Sequence, residues 1–499
     1  MNVRSLIHIF IVVVCTGVLS ACYDYNREIP EEVNVGNCYI NLAISVSNGN
    51  DHSTRTGELP TGGEDGNGRE AGFEHENNVY GITLILYQGS GINDPASTLI
   101  DFVDYYPVSV TTSDPAPIEK TYETGNQLVP HNSIDFTESY QAIVVANANL
   151  RSSIIAGTTT LGSVRDLLVS DIYSGNETKL AGQCNYFVMS NEKEKELSFG
   201  TPTKDASGDY HYDLTAQPIV IERLAARIDF WAANSNGYKT STDNAAYTIP
   251  GYEYNVTSSS DKFVVTGIVP FNLTNGHATY GSEYLLKRLC TDKDHMTATA
   301  VNYLESETTS SYVIDPQTFG KTTVVTPTLN SSLGNIYTLI DNNKIENTSD
   351  NPYFHSIASM HGSTTGKFSL TEGGKTAEDI IVAYPMENCL LPESKLYYHA
   401  TGIAIVGYYY TNGTGTGTRL VYLGYLRHQG ESTSYDIHPS TTPLATDEIM
   451  GATTAMNFGI VRNNIYRVSI EGISPLGGKL SLKIAVHDWR HVKHPAIYI

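Results

Sequence analysis

The sequence is poor in charge, poor in basic residues above all, and holds no cysteine pairs at metal-binding spacing. Charged side chains are 17% of the chain, and 53 acidic residues face 31 basic ones, for a formal net charge of -22. That sign excludes the body of the protein as a binder of nucleic acid or of anionic lipid, and suits a soluble, self-repelling surface. The cysteines are Cys15, Cys22, Cys38, Cys184, Cys290 and Cys389. The last four lie far apart, so the chain shows neither a CxxC zinc pattern nor a dense disulfide framework, and buried free thiols are the reading. Long helical heptads are absent. Neither a GxSxG nucleophile elbow nor an HExxH zinc motif occurs, so nothing calls for an enzyme or a cofactor.

What the chain has in quantity is tyrosine, threonine, glycine and asparagine. The first two favour strands and the last two favour turns. Short alternating or doubly apolar segments separated by turns run along it: "NNVYGITLILYQG", "ESYQAIVVANANL", "CNYFVMSNE", "KFVVTGIVPFNLT", "EDIIVAYPMENC", "ATGIAIVGYYYTNGTGTGTRLVYLGYLRH", "GIVRNNIYRVSIEGI" and "GGKLSLKIAVHDW". "QPIVIERLAARIDFWAAN" reads as one long strand-like run, with a domain junction near it. "LGSVRDLLVSDIY", residues 161–173, has Val164, Leu167, Leu168 and Ile172 at helical spacing and predicts a helix. The length allows two domains. The fold class is all-β, two sandwich domains with few short helices. Residues around 300–350, rich in Thr, Ser and Asn, read as a loop system.

The start of the chain reads as an export signal. Arg4 precedes the apolar run "LIHIFIVVVCTGVLS", which is shorter than the roughly 20 residues a spanning helix needs. "LSAC" follows, and small residues before Cys22 resemble a bacterial lipobox. Cleavage before Cys22 would leave its thiol to carry lipid, and two or three acyl chains at about 0.8 kcal/mol per buried CH₂ hold firmly. The expectation is a lipoprotein with residues 1–21 as its signal peptide, which passes through a bacterial envelope and ends outside the cytoplasm.

Shortly afterwards comes "CYINLAISVS". Ile40, Leu42, Ile44 and Val46 share one face of an extended chain, and Tyr39, Asn41, Ala43 and Ser45 share the other, so residues 39–46 read as a half-buried strand. A polar, glycine-rich stretch follows with Arg55 and Arg69 in it. Near the other end, Leu480, Leu482, Ile484 and Val486 repeat the four-residue pattern, which reads either as a donated strand or as the last strand of a sheet. Two other motifs resolve to bland readings. "GTGTGT", Gly413–Thr418, lies between strand patterns with no helix after it, so it is a hairpin turn and not a phosphate cradle. His487, His491 and His494 sit in or after a strand pattern, where His487 and His491 are roughly 13 Å apart, too far to share a metal.

Several of these segments together resemble one family. The lipobox, the early strand ending in "STRT", "YQAIVVANAN", "FVMSNE", "IERLAARIDF", "AYPMEN" and "MNFGIVRNNIYRVSIEGI" resemble, in order, fimbrillins of the Bacteroidales, most of all the major subunit of the short, Mfa-type fimbriae. The resemblance implies a type V pilus subunit with two transthyretin-like β-sandwiches. It implies a propeptide, 22–55, cut after export by an arginine-specific cysteine protease between Arg55 and Thr56, with Arg69 as the second choice of site. It implies a self-complementing strand, Ile40, Leu42, Ile44 and Val46, that leaves an N-terminal sandwich (56–222). It also implies a C-terminal sandwich (223–489) followed by a donor tail (490–499) bearing Val492, Ile497 and Ile499. The partners it implies are other fimbrial subunits, whether copies of the chain or tip and anchor proteins, together with host or bacterial surface receptors. The destination is an extracellular fimbrium that serves adhesion and biofilm formation. Stalk, accessory and tip positions stay open, because residues 290–380 and the tail "HVKHPAIYI" match no family motif. A surface lipoprotein that stacks sugar rings on its tyrosines is the alternative.

Overall fold

The computed structural model describes residues 36–46, 69–71, 76, 78–89, 96–110, 121–130, 133–165, 167–169, 187–191, 195–271, 283–284, 354–363, 366–372, 374–385, 388–389, 401–426, 433–437, 459–460, 462–476 and 478–490. The described part is almost entirely β. Its α-helices are two single-turn pieces, Leu161–Arg165 and Ile357–His361.

A nine-stranded sheet runs in the order Phe102–Pro107, Gly81–Tyr87, Ser139–Ala146, Met189–Asn191, Ile219–Arg223, Ala43–Val46, Thr121–Glu123, Ser109–Val110, with Lys195–Ser198 also on the Ser139–Ala146 strand. A four-stranded sheet, Thr203–Lys204, Tyr210–Asp213, Cys38–Asn41, Gln127–Val129, shares a core with it. Ile40, Val129 and Tyr212 reach that core from the smaller sheet, and Leu84, Ile143 and Ile221 from the larger. The second core lies between a seven-stranded sheet, which contributes Ile228, Val468 and Leu482, and a six-stranded one, which contributes Phe263, Ile268, Ile405 and Tyr422. Residues up to Ala225 build the first core and residues from Ala226 onward the second, except that Ile381, Tyr384 and Ile465 pack into the first.

Doubly apolar strands lie where the sheets are covered. Ser139–Ala146 is flanked by Gly81–Tyr87 on one side and by Met189–Asn191 and Lys195–Ser198 on the other, and Ala142 to Ala146 are all buried. Gly402–Tyr410 and Thr418–Tyr425 form the hairpin expected across "GTGTGT". Asn412, Gly413 and Gly415 there take φ of 53°, 67° and 77°, the left-handed region that such short connections require.

Two sequence expectations are corrected. Of the helix expected over 161–173, the described residues form one turn, Leu161–Arg165, started by Thr160, whose Oγ1 accepts the Ser163 amide at 3.2 Å, and residues 166 and 170–173 lie outside the described residues. Gly162, Ser163 and Asp166 are weak helix formers, and Leu168–Val169 instead pairs with Glu283–Tyr284. The run from Ile219 to Trp231 is two strands in two sheets, Ile219–Arg223 and Arg227–Trp231. Between them Leu224, Ala225 and Ala226 are buried, and their backbone groups bond outward. The Leu224 amide donates to Val188 O, the Ala226 amide to Pro385 O, and Ala225 O accepts from the Asn463 amide. Those three bonds tie the buried backbone down where the chain changes sheet.

Candidate functional site

The first described strand is the site the sequence singles out. Ile40, Leu42, Ile44 and Val46 are all fully buried in the first core, and Cys38 and Ala43 nearly so. The segment belongs to both sheets of that core. Cys38–Asn41 lies inside the four-stranded sheet, parallel to Tyr210–Asp213 and antiparallel to Gln127–Val129. Ala43–Val46 lies inside the nine-stranded sheet, parallel to Ile219–Arg223 and antiparallel to Thr121–Glu123. Leu42 is the crossing point. Its amide donates to Thr124 Oγ1 at 3.0 Å, and its carbonyl accepts from the Thr124 amide at 3.0 Å.

The entrance to this slot is tight. A Cβ on Gly36 would lie 2.0 Å from Gly208 O, and the Asn37 amide donates to Asp209 Oδ1 at 2.7 Å. On the outer face, Tyr39 stacks on His211 with centroids 5.0 Å apart and 10° between planes. His211 Nε2 is 3.1 Å from Asp205 Oδ2. Cys38 is a free thiol, and burial, with Asp209 adding, pushes it above its usual value. Burying four such aliphatic side chains contributes on the order of 6–12 kcal/mol as an upper figure.

Of the other residues singled out in the sequence, Cys22, Arg55, Thr56, Val492, Ile497 and Ile499 lie outside the described residues, as do Cys184, Cys290, His491 and His494. Leu480–Arg490 is an integral strand, antiparallel to Asn464–Ile473 on one side and to Thr433–Ile437 on the other, with Leu480, Leu482 and Ile484 buried in the second core. Arg69 is described. Its strand, Arg69–Ala71, runs parallel to Asp488–Arg490. Among the described residues no three His, Cys, Asp or Glu side chains gather as a metal site.

Sequence reasoning missed a buried cluster of charge where the two cores meet. Arg227, Asp229 and Glu76 are fully buried. Arg227 Nε donates to Asp229 Oδ1 at 2.9 Å and Nη2 to Asp229 Oδ2 at 2.7 Å, while Nη1 donates to Glu76 Oε2 at 3.0 Å. The Tyr384 hydroxyl donates to Glu76 Oε1 at 2.7 Å. Arg223 Nε donates to the Glu76 backbone carbonyl at 2.9 Å, and its Nη1 donates to Asn463 Oδ1 at 2.9 Å. Alongside, Arg467 Nε donates to Asp379 Oδ2 at 2.8 Å, and Arg467 is the cross-strand partner of Asp229.

Burial opposes the charge on Arg227, but Asp229 and Glu76 outweigh it and hold the guanidinium above its ordinary value. Burial lowers Arg223 to about 10, with Glu76 pulling the other way. Burial pushes Asp379 up to about 7, against Arg467 and helped by the negative Asp229. The signal was present in "IERLAARIDF", where Arg227 and Asp229 fall on one face of an otherwise apolar strand. Charge on a buried strand implies a partner. The partner Glu76, about 150 residues away in sequence, was not visible to local pattern.

No family model matches the chain, and no curated protein does. Solved structures align with most of it at low identity. A candidate cell adhesion protein of Parabacteroides distasonis is 12% identical, over 91% of this chain and 99% of that one, with a TM-score of 0.40. The tip fimbrial protein Mfa3 of Porphyromonas gingivalis, with a C-terminal truncation, is 9% identical over 91% and 100%, with a TM-score of 0.37. A fimbrilin, FimA, of the same organism is 12% identical over 92% and 99%, with a TM-score of 0.28. The functional reading rests on the chain's own geometry and motifs.

Proposed function

We propose that the chain is a structural subunit of a bacterial surface fimbria that polymerises by exchange of its first strand. One observation carries the reading: residues 38–46 fill a slot in both sheets of the first core, with their apolar face fully buried and their backbone paired on both sides. While it is in place the sheets are complete. Once it leaves, Tyr210–Asp213, Gln127–Val129, Ile219–Arg223 and Thr121–Glu123 each face an empty lane, and an apolar channel opens. A strand from a second copy would fill it by β-augmentation.

In this reading Cys22 carries lipid to the outer membrane, and an arginine-specific cysteine protease cuts between Arg55 and Thr56. Residues 490–499, bearing Val492, Ile497 and Ile499, supply the incoming strand. Leu480–Arg490 is already committed to its own sheet, which leaves the residues after it as donor. Pro495 is tolerable in an added strand. The sugar-stacking alternative needs tyrosine faces in solvent; among the described residues Tyr80 is exposed, while Tyr87, Tyr122, Tyr247, Tyr252, Tyr254, Tyr410, Tyr422 and Tyr466 are buried.

The experiment is the Arg55→Ala chain expressed in its natural host. The expected outcome is surface-exported monomer with its N-terminal segment intact and no high-mass ladder on mild SDS gels, where the unaltered chain gives a ladder of units that start at Thr56. Ladders of normal length from the variant would end the reading at this residue.

A further inference from the structure

Alternation alone leaves the seating of the first strand undecided. A slip of one residue turns Ile40, Leu42, Ile44 and Val46 out of the core and is excluded. A slip of two keeps the same face inward. Drawn one way, it brings Asn48 to the buried place of Val46, where an unpaired amide is costly. Drawn the other way, Cys38, Ile40, Leu42 and Ile44 each move to the next buried place along, and Gly36 enters in exchange for Val46. That face stays apolar throughout, so another contact has to exclude this slip.

The contact lies at the mouth of the lane. A Cβ on Gly36 would lie 2.0 Å from Gly208 O, 2.5 Å from Gly208 C and 2.8 Å from Asp209 Cα, all of them backbone atoms. The chains are tied together beside this point. The Asn37 amide donates to Asp209 Oδ1 at 2.7 Å, and Asn37 O accepts from the Tyr210 amide at 2.8 Å. The opposing turn is braced from within. Asp205 Oδ1 accepts the Ser207 and Asp209 amides at 2.8 and 3.0 Å, Asp205 O accepts the Gly208 amide at 3.1 Å, and Asp209 O accepts the Asp205 amide at 3.0 Å. Real Cβ atoms keep more than 3.0 Å from such neighbours, so one chain would have to move, and the braced turn resists it. In the slip that the apolar face allows, Asn34 would stand at the mouth, and its Cβ has no room there.

We propose that the Gly208 carbonyl is the register stop of the slot: a strand that fills the whole lane must carry a glycine six residues ahead of the residue that crosses between the sheets. Gly36 and Leu42 have that spacing. The stop determines specificity by exclusion, which alternation of apolar side chains cannot do. For an incoming strand this rests on the reading of the lane as the exchange site. Residues 491–499 hold no glycine, so as donor they occupy the lane from the Cys38 position inward and end short of the mouth.

The test moves the glycine and asks whether the strand moves with it. Cys38 lies opposite Val129, and Ile40 opposite Gln127, on the antiparallel neighbour. Facing residues of such a pair are close enough for a disulfide. Val129→Cys or Gln127→Cys is placed in the purified full-length chain, the chain is refolded in glutathione buffer, and the bond made by Cys38 is read by mass spectrometry. With Gly36 in place, Cys38 should link to position 129 and not to 127. With Gly36→Ala alone, the link to 129 should fall roughly tenfold or more. With Gly36→Ala and Asn34→Gly together, Cys38 should link to 127 and not to 129, because the strand reseats two residues along. A link to 129 in that double variant, or to neither position, overturns the register stop, as does an undiminished link in Gly36→Ala. If the chain with Gly36 in place links to neither position, the seating of the strand is wrong, and the register stop and the exchange reading fall together. The expected links, found alongside normal ladders from Arg55→Ala, leave the register stop standing and remove the cut at Arg55 alone.

Discussion

Residues 47–68 separate two anchored segments, and the two are held by opposite physics. On one side, 38–46 is held by aliphatic side chains and a backbone ladder in the first core. On the other, Glu76 is held by two arginines and a tyrosine at the junction with the second core. Apolar burial is non-directional, so any strand with the right alternation can take the place of the first segment. A buried carboxylate demands a specific guanidinium at a specific distance, so nothing else substitutes for the second. In the proposed exchange, the departing element is greasy and the retained one is charged.

Two changes would break or sharpen that contrast. Arg227→Met leaves Glu76 and Asp229 buried with a cation removed, and should cost about 3–5 kcal/mol, read as a fall in the urea midpoint. If it cost less than 1 kcal/mol, the junction would not be held by charge. Leu42→Ala truncates a fully buried side chain at the crossing point and should cost about 2–5 kcal/mol in the uncut chain. Its effect should vanish once the segment has been cut and removed, whereas that of Arg227→Met should persist. Equal effects before and after removal would show that 38–46 is not a separable part.

The smallest effect concerns pH. Asp379 is raised from 3.8 to about 7 by burial, so the folded state holds that proton more tightly than the unfolded one. Its contribution is present below pH 3.8 and is lost as pH rises through 7. His355 is lowered from 6.5 to about 4 by burial, so its contribution is present above pH 6.5 and is lost as pH falls through 4. The two oppose each other between about pH 4 and 6.5. Asp379→Asn should therefore make the protein more acid-sensitive than the unaltered chain, and His355→Leu should make it lose stability as pH rises. Melting temperatures at pH 4.5 and 7.5 decide it; parallel shifts in all three proteins would remove both groups from the account.

Much of this was legible in the chain. Alternation located Gly81–Tyr87, Ser139–Ala146, Lys262–Phe271, the hairpin across Gly413–Thr418 and the buried face of 40–46, because side-chain period two is a local property of the backbone. Failures came where distant residues decide. Residues 161–173 carry helical spacing, but Leu168–Val169 has a strand partner more than a hundred residues away. Ile219–Trp231 holds no glycine or proline, so nothing local marked the step at Leu224–Ala226 from one sheet to another. The arginines at 223, 227 and 467 read as charge on strands, and only the fold supplies the carboxylates and carbonyl that make their burial tolerable.

The crossing at Leu42 has a consequence for assembly order. A rim strand can be swapped by peeling, one bond at a time, with the rest of the sheet undisturbed. Residues 38–46 occupy inner lanes of two sheets at once, so their withdrawal opens two rifts that share a single hinge beside Thr124. A replacement that closed only one rift would leave the other gaping to water. In the fibre proposed above, growth would then favour whole insertions over partial ones, a form of proofreading that comes from topology and needs no separate checking site.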